Sequence, residues 1–493
     1  MNPRFSIIAV WAAALALWIG GCNFAPKYQK PSVETPDAFK EAADWKPAQP
    51  KDDARRGNWW EIFGDPQLNA LEEQVSVSNQ NIAAAFANFL AARAVVKEAR
   101  AAYYPVLTTA PSATRAYESG TPPPSAARAE QNWSIYLLPF DASWVPDLWG
   151  NIRNNVNANT FAAQASAATL EGLLLTSQAD LAADYYQLRA QDMLIQVNTD
   201  TVAADQKNLD LLKVQYAAGI ASDEDVSQAE TLLRTVQAQT TGLGIARAQL
   251  EHAIALLIGK PASSFSIAVE PFKATPPAIP VGIPSQLLER RPDVAASERN
   301  VAAANEQIGI AKAAFFPTLT LTGSAGLESG DPIGDLIKDP IKLWSVGAGL
   351  TETIFDAGLR SAVVEQSRAQ YSATVATYRQ TVLTAFQEVE DSLAALRILS
   401  KQLSQEDAAV QSAARTLALA THRYELGIDS YLNVITAQLA LLTNQQTAVT
   451  IRSQQMTSSV QLIVALGGGW DVAELPTPEQ ITGKAPESAS STR

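Results

Sequence analysis

The sequence predicts a mixed α and β chain made of two tandem copies of one unit, each a membrane-patterned β-hairpin continued by a long antiparallel helical hairpin. Three observations carry that prediction. Segments recur in order: Val214–Ser222 aligns with His422–Ser430, one constant offset takes Gly219 onto Gly427 and Gly259 onto Gly467, and Ala101–Pro105 matches Ala313–Pro317. Three ordered matches mark a duplication with a period of about 210 residues. Leu319, Leu321, Gly323, Ala325 and Leu327 then alternate with Thr318, Thr320, Thr322 and Ser324, and Trp344, Val346, Ala348 and Leu350 alternate with Ser345, Gly347, Gly349 and Thr351. Apolar and small polar faces at period two fit strands between lipid and a wet interior. Finally, Gly358 to Tyr424 has no proline and no internal glycine, and Gly150 to Tyr216 is interrupted by Gly172 alone. About 65 helical residues at 1.5 Å each make a rod of about 100 Å.

Composition removes several function classes. Of 493 residues, 47 % are hydrophobic and 18 % charged, enough apolar material for a large packed structure. The net charge of −13 opposes binding to a phosphate backbone, so no nucleic-acid partner is expected. One cysteine excludes a disulfide framework and a Cys-based zinc site, and His252 and His422 stand alone on helices, so no metal is expected. Neither a G-x-S-x-G elbow nor an H-E-x-x-H pair is present, and Gly242-Leu-Gly244 and Gly347-Ala-Gly349 lack the third glycine of a nucleotide loop. No enzyme is expected, and no cofactor beyond a covalent lipid.

That lipid follows from the amino terminus. Residues 1–21 read as a secretory signal: Arg4, an apolar run from Phe5 to Ile19, then Gly20 and Gly21. The run is too short and wrongly flanked for a permanent membrane helix. Ile19-Gly20-Gly21-Cys22 resembles a bacterial lipobox, which would make Cys22 the acylated first residue of the mature chain. A buried structural cysteine that happens to follow the signal is the alternative. Asn23, in place of an aspartate, points by that resemblance to the outer membrane. A lipid helps to anchor a chain without spanning the bilayer. Beyond Cys22 no apolar stretch approaches membrane-helix length, so a membrane crossing requires a closed β-barrel.

The remaining elements follow in order. Residues 22–64 form an extended, equatorial arm in which Trp59-Trp60 pack against the first long helix. Repeat 1 spans 65–261, with Asp65-Pro66 opening a helix over 67–102, a β-hairpin near 104–145 and a helical hairpin over 150–258. A linker occupies 262–291. Repeat 2 spans 292–470, with a helix over 293–314 after Arg291-Pro292, a β-hairpin near 316–355 and a helical hairpin over 358–466. Val375, Tyr378, Val382, Phe386, Val389, Leu393, Leu396, Leu399 and Leu403 form its apolar seam. Residues 471–493 read as a flexible tail, Glu352 as a barrel-rim residue, and Arg290-Arg291 as a structural ion-pair site. The hairpin of repeat 1 alternates less cleanly, and a soluble hairpin half-buried on a core is the other reading of the strands.

Geometry then constrains function. Four membrane strands cannot close, since about eight make the smallest closed barrel, and open edges are not tolerated in lipid. Spanning strands therefore demand an oligomer, eight strands for a dimer or twelve for a trimer. Rods of about 100 Å far exceed the 30 Å hydrocarbon core and must project into water, which the signal makes the periplasm. The result is a channel with a periplasmic extension. A lipid-anchored periplasmic coiled-coil scaffold without a pore is the competing class.

Several motifs resemble those of the TolC/OprM outer-membrane efflux proteins, in particular the NodT-type lipoprotein branch. They are the opening segment Trp59–Leu68, the mid-chain run Ile283–Val294 with Arg290-Arg291-Pro292, Asp147–Gly150 after the first hairpin, Arg423–Gln438, and Ala465–Trp470. The resemblance covers about residues 22–470. It implies a homotrimer with a twelve-stranded barrel continuous with a helical tunnel and an equatorial belt. It also implies a periplasmic adaptor and an RND-type inner-membrane pump as partners, and efflux through the outer membrane with the protein extending into the periplasm. The turns containing Gly219 and Gly427 would form the closing tip. There Asp223, Glu224 and Asp225 follow Ser222, either as helix caps and dipole compensation or as an acidic ring that concentrates cations and meets the adaptor. Asp429 lies in the second turn, and Tyr431 and Leu432 either line the constriction or pack between helices. Some family members carry an aspartate and an arginine where this chain has Thr436 and Leu439, so a hydrophobic constriction is expected in place of a charged latch.

Overall fold

The computed structural model describes residues 23–42, 58–118, 131–270, 275–279, 289–330 and 333–483. The signal at 1–21, the lipidation position Cys22 and the stretch 280–288 lie outside them. In chain order the elements are α1 (Pro66–Ser78), α2 (Gln80–Ala101), β1 (Val106–Thr109), β2 (Ser112–Glu118), β3 (Gln131–Trp144), α3 (Asn151–Ala217) and α4 (Asp223–Leu257), then α5 (Pro292–Ala313), β4 (Thr318–Ser329), β5 (Ile341–Thr351), α6 (Leu359–Glu425) and α7 (Tyr431–Ala465). The duplication holds residue for residue in length. Helices α2 and α5 have 22 residues each, α3 and α6 have 67, and α4 and α7 have 35.

The helix expected over 67–102 is broken. Asn79 is extended at φ −69° and ψ 122°, and its side chain accepts from the N–H groups of Asn81 and Ile82, capping a new helix. The counterpart of Arg291-Pro292 is therefore Asn79-Gln80, so α2 rather than α1 corresponds to α5. Helix α1 precedes α2, and in repeat 2 the described residues just before Arg291, Glu289 and Arg290, are helical as well. Helix α1 opens on Asp65, whose carboxylate caps Gln67 and Leu68, as the Asp-Pro pair predicts.

The same clamp closes both units. Asn79 Nδ2 donates to the carbonyl of Leu257 at the end of α4 (2.9 Å), and Arg291 Nη1 donates to the carbonyl of Ala465 at the end of α7 (3.2 Å). Each bond satisfies one of the orphan carbonyls of a helix C-terminus. Just beyond, Gly259 and Gly467 take φ of +68° and +94°, and a Cβ there would lie 2.2 Å from the Ser78 carbonyl oxygen and 2.0 Å from that of Arg290. Only glycine fits both the conformation and the approach.

The main core lies where the two units meet. Leu68, Val75, Tyr185, Leu188, Ile254, Val294, Val301 and Val460 pack there with Tyr378, Val382, Phe386, Val389 and Leu393 of the predicted α6 seam. Trp59 and Trp60 are buried in the same cluster, and Phe63 packs on Tyr186, so this pair packs as expected. Arg291 pairs with Asp293 (2.7 Å) and Glu388 (2.6 Å), which agrees with the ion-pair reading. The arm at 23–42 runs along the helices: Asn305 donates to the Pro26 carbonyl, Lys40 N–H donates to Glu390, and Arg397 pairs with Glu41 (2.5 Å).

The carboxyl-terminal segment differs from a flexible tail. Through Gly483 it folds onto repeat 1, with a capping box of Thr477 and Gln480 opening a short helix at Pro478–Thr482. Ile481 is buried against Val96 and Ala163, Arg93 and Arg100 donate to the Gln480 and Thr482 carbonyls, and Gln164 donates to that of Pro476. Its polar composition concealed its apolar anchors, Ile481 and, against Ala168 and Trp470, Val472 and Leu475. Residues 484–493 lie outside the described residues.

Candidate functional site

Two regions carry the expected function, the sheet and the far end of the helical hairpins. The two β-hairpins join into one antiparallel sheet, with β1 and β2 on β3, β3 on β4, and β4 on β5. Leu138, Phe140, Ala142 and Trp144 of β3 face Leu327, Ala325, Gly323 and Leu321 of β4. The latter three face Trp344, Val346 and Ala348 of β5. Residues directly opposite share a face, so one face of the sheet is a continuous apolar band. Trp344, Val346 and Leu350 are 76 %, 77 % and 68 % exposed in the single chain. The other face carries Asp141, Ser143, Thr322, Ser324 and Ser345. In repeat 1 this contrast is confined to the half nearest the helices. Further out, Trp133, Ile135 and Leu137 stand on the same side as Asp141, which explains the weaker alternation in sequence.

The first strand is split at Ala110-Pro111, opposite Pro139 and Leu138. Two prolines at one point remove two ladder donors. The Thr109 hydroxyl instead donates to the Pro139 carbonyl at 2.7 Å. Both outer edges, β1/β2 on one side and β5 on the other, have no strand beside them among the described residues. The sheet meets the helices at an aromatic stack of Phe24 on Phe316 (4.2 Å between centroids) and Phe316 on Trp149 (5.0 Å), with Trp149 donating to the Pro317 carbonyl. Phe24 thus ties the amino-terminal part of the described arm to the foot of the sheet.

At the opposite end, Gly219 and Gly427 take left-handed φ of +73° and +70°, turning each hairpin. The first turn is capped reciprocally: Asp225 N–H donates to Ser222 Oγ, and Ser222 N–H and Oγ both donate to the Asp225 carboxylate (3.1 and 2.7 Å). Asp225 is thus committed to the cap, whereas Asp223 and Glu224 are exposed. The second turn has no side-chain cap at Ser430. An ion pair of Arg423 with Asp429 (2.5 Å) braces it, and the guanidinium holds the Asp429 carboxyl below its ordinary value.

Tyr431 and Leu432 separate. Tyr431 is buried in a cluster with Leu209, Leu212, Leu233, Val236, Val434 and Leu442, edge-on to Tyr424 at 5.2 Å, so it packs between helices and does not line a passage. Leu432 is 54 % exposed, and Thr436 and Leu439 continue its face at helical spacing. Sequence reasoning missed one further group, Asp205 of α3, buried against Gln438 of α7. A charged residue recurring on the apolar seam of α3 was the available signal.

Residues 71–260 and 283–468 match the outer membrane efflux protein family. The chain is 32 % identical over 474 residues to the solvent efflux pump outer membrane protein SrpC of Pseudomonas putida, covering 93 % of this chain and 97 % of that protein. It is 31 % identical to the pyoverdine export outer membrane protein OpmQ of Pseudomonas aeruginosa, covering 92 % and 95 %. Among solved structures it is similar to the outer-membrane channel OprN, with a TM-score of 0.83, 27 % identity and coverage of 91 % of this chain and all of that one. It also resembles the open state of the MtrE outer membrane channel of Neisseria gonorrhoeae, with a TM-score of 0.80, 25 % identity and coverage of 92 % and 100 %.

Proposed function

The chain belongs to the outer membrane efflux protein family, and from that premise we propose that it is the outer-membrane exit channel of a tripartite efflux system. Three copies close a twelve-stranded barrel, and their helical hairpins continue it as a periplasmic tunnel that narrows at the Gly219 and Gly427 turns. The channel conducts passively what an inner-membrane pump of RND type delivers through a periplasmic adaptor. Relatives named for solvent and pyoverdine export support small organic molecules as cargo. The observation that carries the reading is the sheet itself, with one apolar face, one polar face and two edges that no strand covers among the described residues. Such a sheet is stable in lipid only as part of a closed ring. A pore-free scaffold would leave that apolar face in water without a cover.

Lipidation of Cys22 belongs to the same proposal. Phe24, two residues on, is stacked at the foot of the sheet, where an acyl chain on Cys22 reaches the adjacent leaflet. Asp223 and Glu224 are left as the exposed acids of the tip, and Leu432 with Leu439 supplies the constriction. The deciding experiment is the detergent-corrected mass of the complex extracted from outer membranes. Three chains are expected. A Cys22→Ser protein released as a monomer without detergent would overturn the barrel and favour the scaffold.

A further inference from the structure

Helix α3 belongs to the first helical hairpin and α7 to the second, and they meet along a seam inside one chain. Towards the tip that seam holds two polar pairs: Gln438 Nε2 donates to Asp205 Oδ1, and Gln446 Nε2 donates to Asn198 Oδ1 at 3.1 Å. Asp205 is 2 % exposed, and its second oxygen, Oδ2, has no hydrogen-bond partner among the described residues. The ionisable group of α7 facing it is the buried Tyr431 phenol. Tyr424 at the end of α6 and Asp225 at the start of α4 bear on that phenol. No cation bears on Asp205 among the described residues. The seam is specific to one side of the duplication, because the repeat offset places Ala413 and Glu230 where Asp205 and Gln438 stand.

The two protonation states differ in what they can bond. A carboxylate only accepts, so its second oxygen and the Gln438 amide oxygen have no proton to share. A neutral carboxyl adds an O–H donor, and acid and primary amide are complementary through two bonds. Burial also favours the neutral form. We propose that Asp205 and Gln438 form a proton-operated clasp across the hairpin seam, which holds the tip closed when protonated and lets the hairpins part when ionised. The gating half of this inference rests on the channel reading above; the clasp itself does not. Burial pushes the Asp205 carboxyl from an ordinary 3.8 up to about 6, against the opposing pull of the Gln438 bond. A raised value means that the closed seam is fully stabilised below about pH 4 and loses that stabilisation as pH rises through about 6. Glu72 is also buried, and neither of its oxygens has a hydrogen-bond partner among the described residues, but it lies on α1 and not on the seam of α3 and α7.

The test is hydrogen exchange of the assembled full-length protein at pH 5 and 7.5, corrected for intrinsic rates, over residues 198–212 and 431–446. Seam opening in the wild type should be about tenfold rarer at pH 5, the change expected for one buried acid titrating near 6. Asp205→Asn, a neutral isostere that keeps the amide-like pairing, should give the same trimer mass and a low opening at both pH values. A pH-insensitive wild-type seam, or an Asp205→Asn seam with the wild-type response, would overturn the clasp. Planar-bilayer currents read the gate: the wild-type current should fall at pH 5, and that of Asp205→Asn should be low throughout. Equal pH dependence of current in both proteins would overturn the control of the tip. The expected exchange pattern without current from either protein at any pH would instead overturn the channel reading and leave the clasp standing.

Discussion

The two repeats have the same skeleton and different neighbours. Their helices match in length and both units close with a side chain on a terminal carbonyl beside a left-handed glycine. Yet α3 has 23 buried side chains along its 67 residues, whereas α6, of equal length, has nine. Helix α3 packs on α2, α4, α5 and α7, while α6 meets α5, α7 and the amino-terminal arm. Duplication has therefore preserved backbone geometry while the first copy became the hub and the second kept an open flank. The tips diverge in the same way. Asp223, Glu224 and Asp225 of the first correspond to Tyr431, Leu432 and Asn433 of the second, so an acidic, capped turn faces an apolar, ion-paired one.

Substitutions can break or sharpen this comparison. The largest effect should come from the shared clamp. Gly467→Ala and Gly259→Ala combine a positive φ with overlap on a backbone oxygen and should each cost about 3–5 kcal/mol, read as loss of folded protein on thermal unfolding in detergent. Gly219→Ala, at the tip with open space around it, should cost only about 1 kcal/mol. Equal losses at all three would mean that the clamp contacts do not matter. Next, Arg291→Ala removes a buried guanidinium from two half-exposed carboxylates and should cost about 2–3 kcal/mol. Its counterpart Asn79→Ala loses a cap and one carbonyl bond and should cost about 1–2 kcal/mol in the same unfolding assay. The reverse order would deny that the charged clamp of repeat 2 holds more strongly than the neutral one of repeat 1.

Smaller still, Ser222→Ala should lose about 1 kcal/mol with its capping box, while Ser430→Ala, which caps nothing, should be silent. Hydrogen exchange at the two turns would report the contrast, and equal effects would contradict it. The least effect on stability and the most on current is expected of Leu432→Ala. Single-channel recording should show more leak in the closed state, whereas Glu224→Gln at the corresponding place of the first tip should not. An unchanged closed state would remove Leu432 from the gate.

The duplication was legible because its marks are local: left-handed glycines, period-two strands and unbroken helical runs all act within a few residues. The break at Asn79 was not, since its local cap on Asn81 and Ile82 sits between two helical patterns with no proline or glycine between them, and the Leu257 carbonyl that also holds Asn79 lies far along the chain. The docking of Ile481 and the burial of Tyr431 are tertiary in the same sense, each decided by a groove that other helices build. Gln438 stood within a recognised motif, but its partner Asp205 lies 233 residues away in the chain. At the tip, spacing predicted the Ser222 cap and could not tell which of two adjacent side chains would turn inwards.

The sheet edges also bear on genetics. The β1/β2 edge and the β5 edge are unlike, so in the proposed barrel copies would join head to tail, and such contacts end only when a ring closes. In such a ring a copy with one spoiled edge would still offer a sound one and be incorporated, but its ring would stay open. With equal amounts of sound and spoiled chains mixing at random in rings of three, roughly one ring in eight is fully sound. If the proposed ring of three forms, an edge-disrupting allele should therefore be dominant over the wild type, whereas an allele that prevents folding, and so offers no edge, should be recessive.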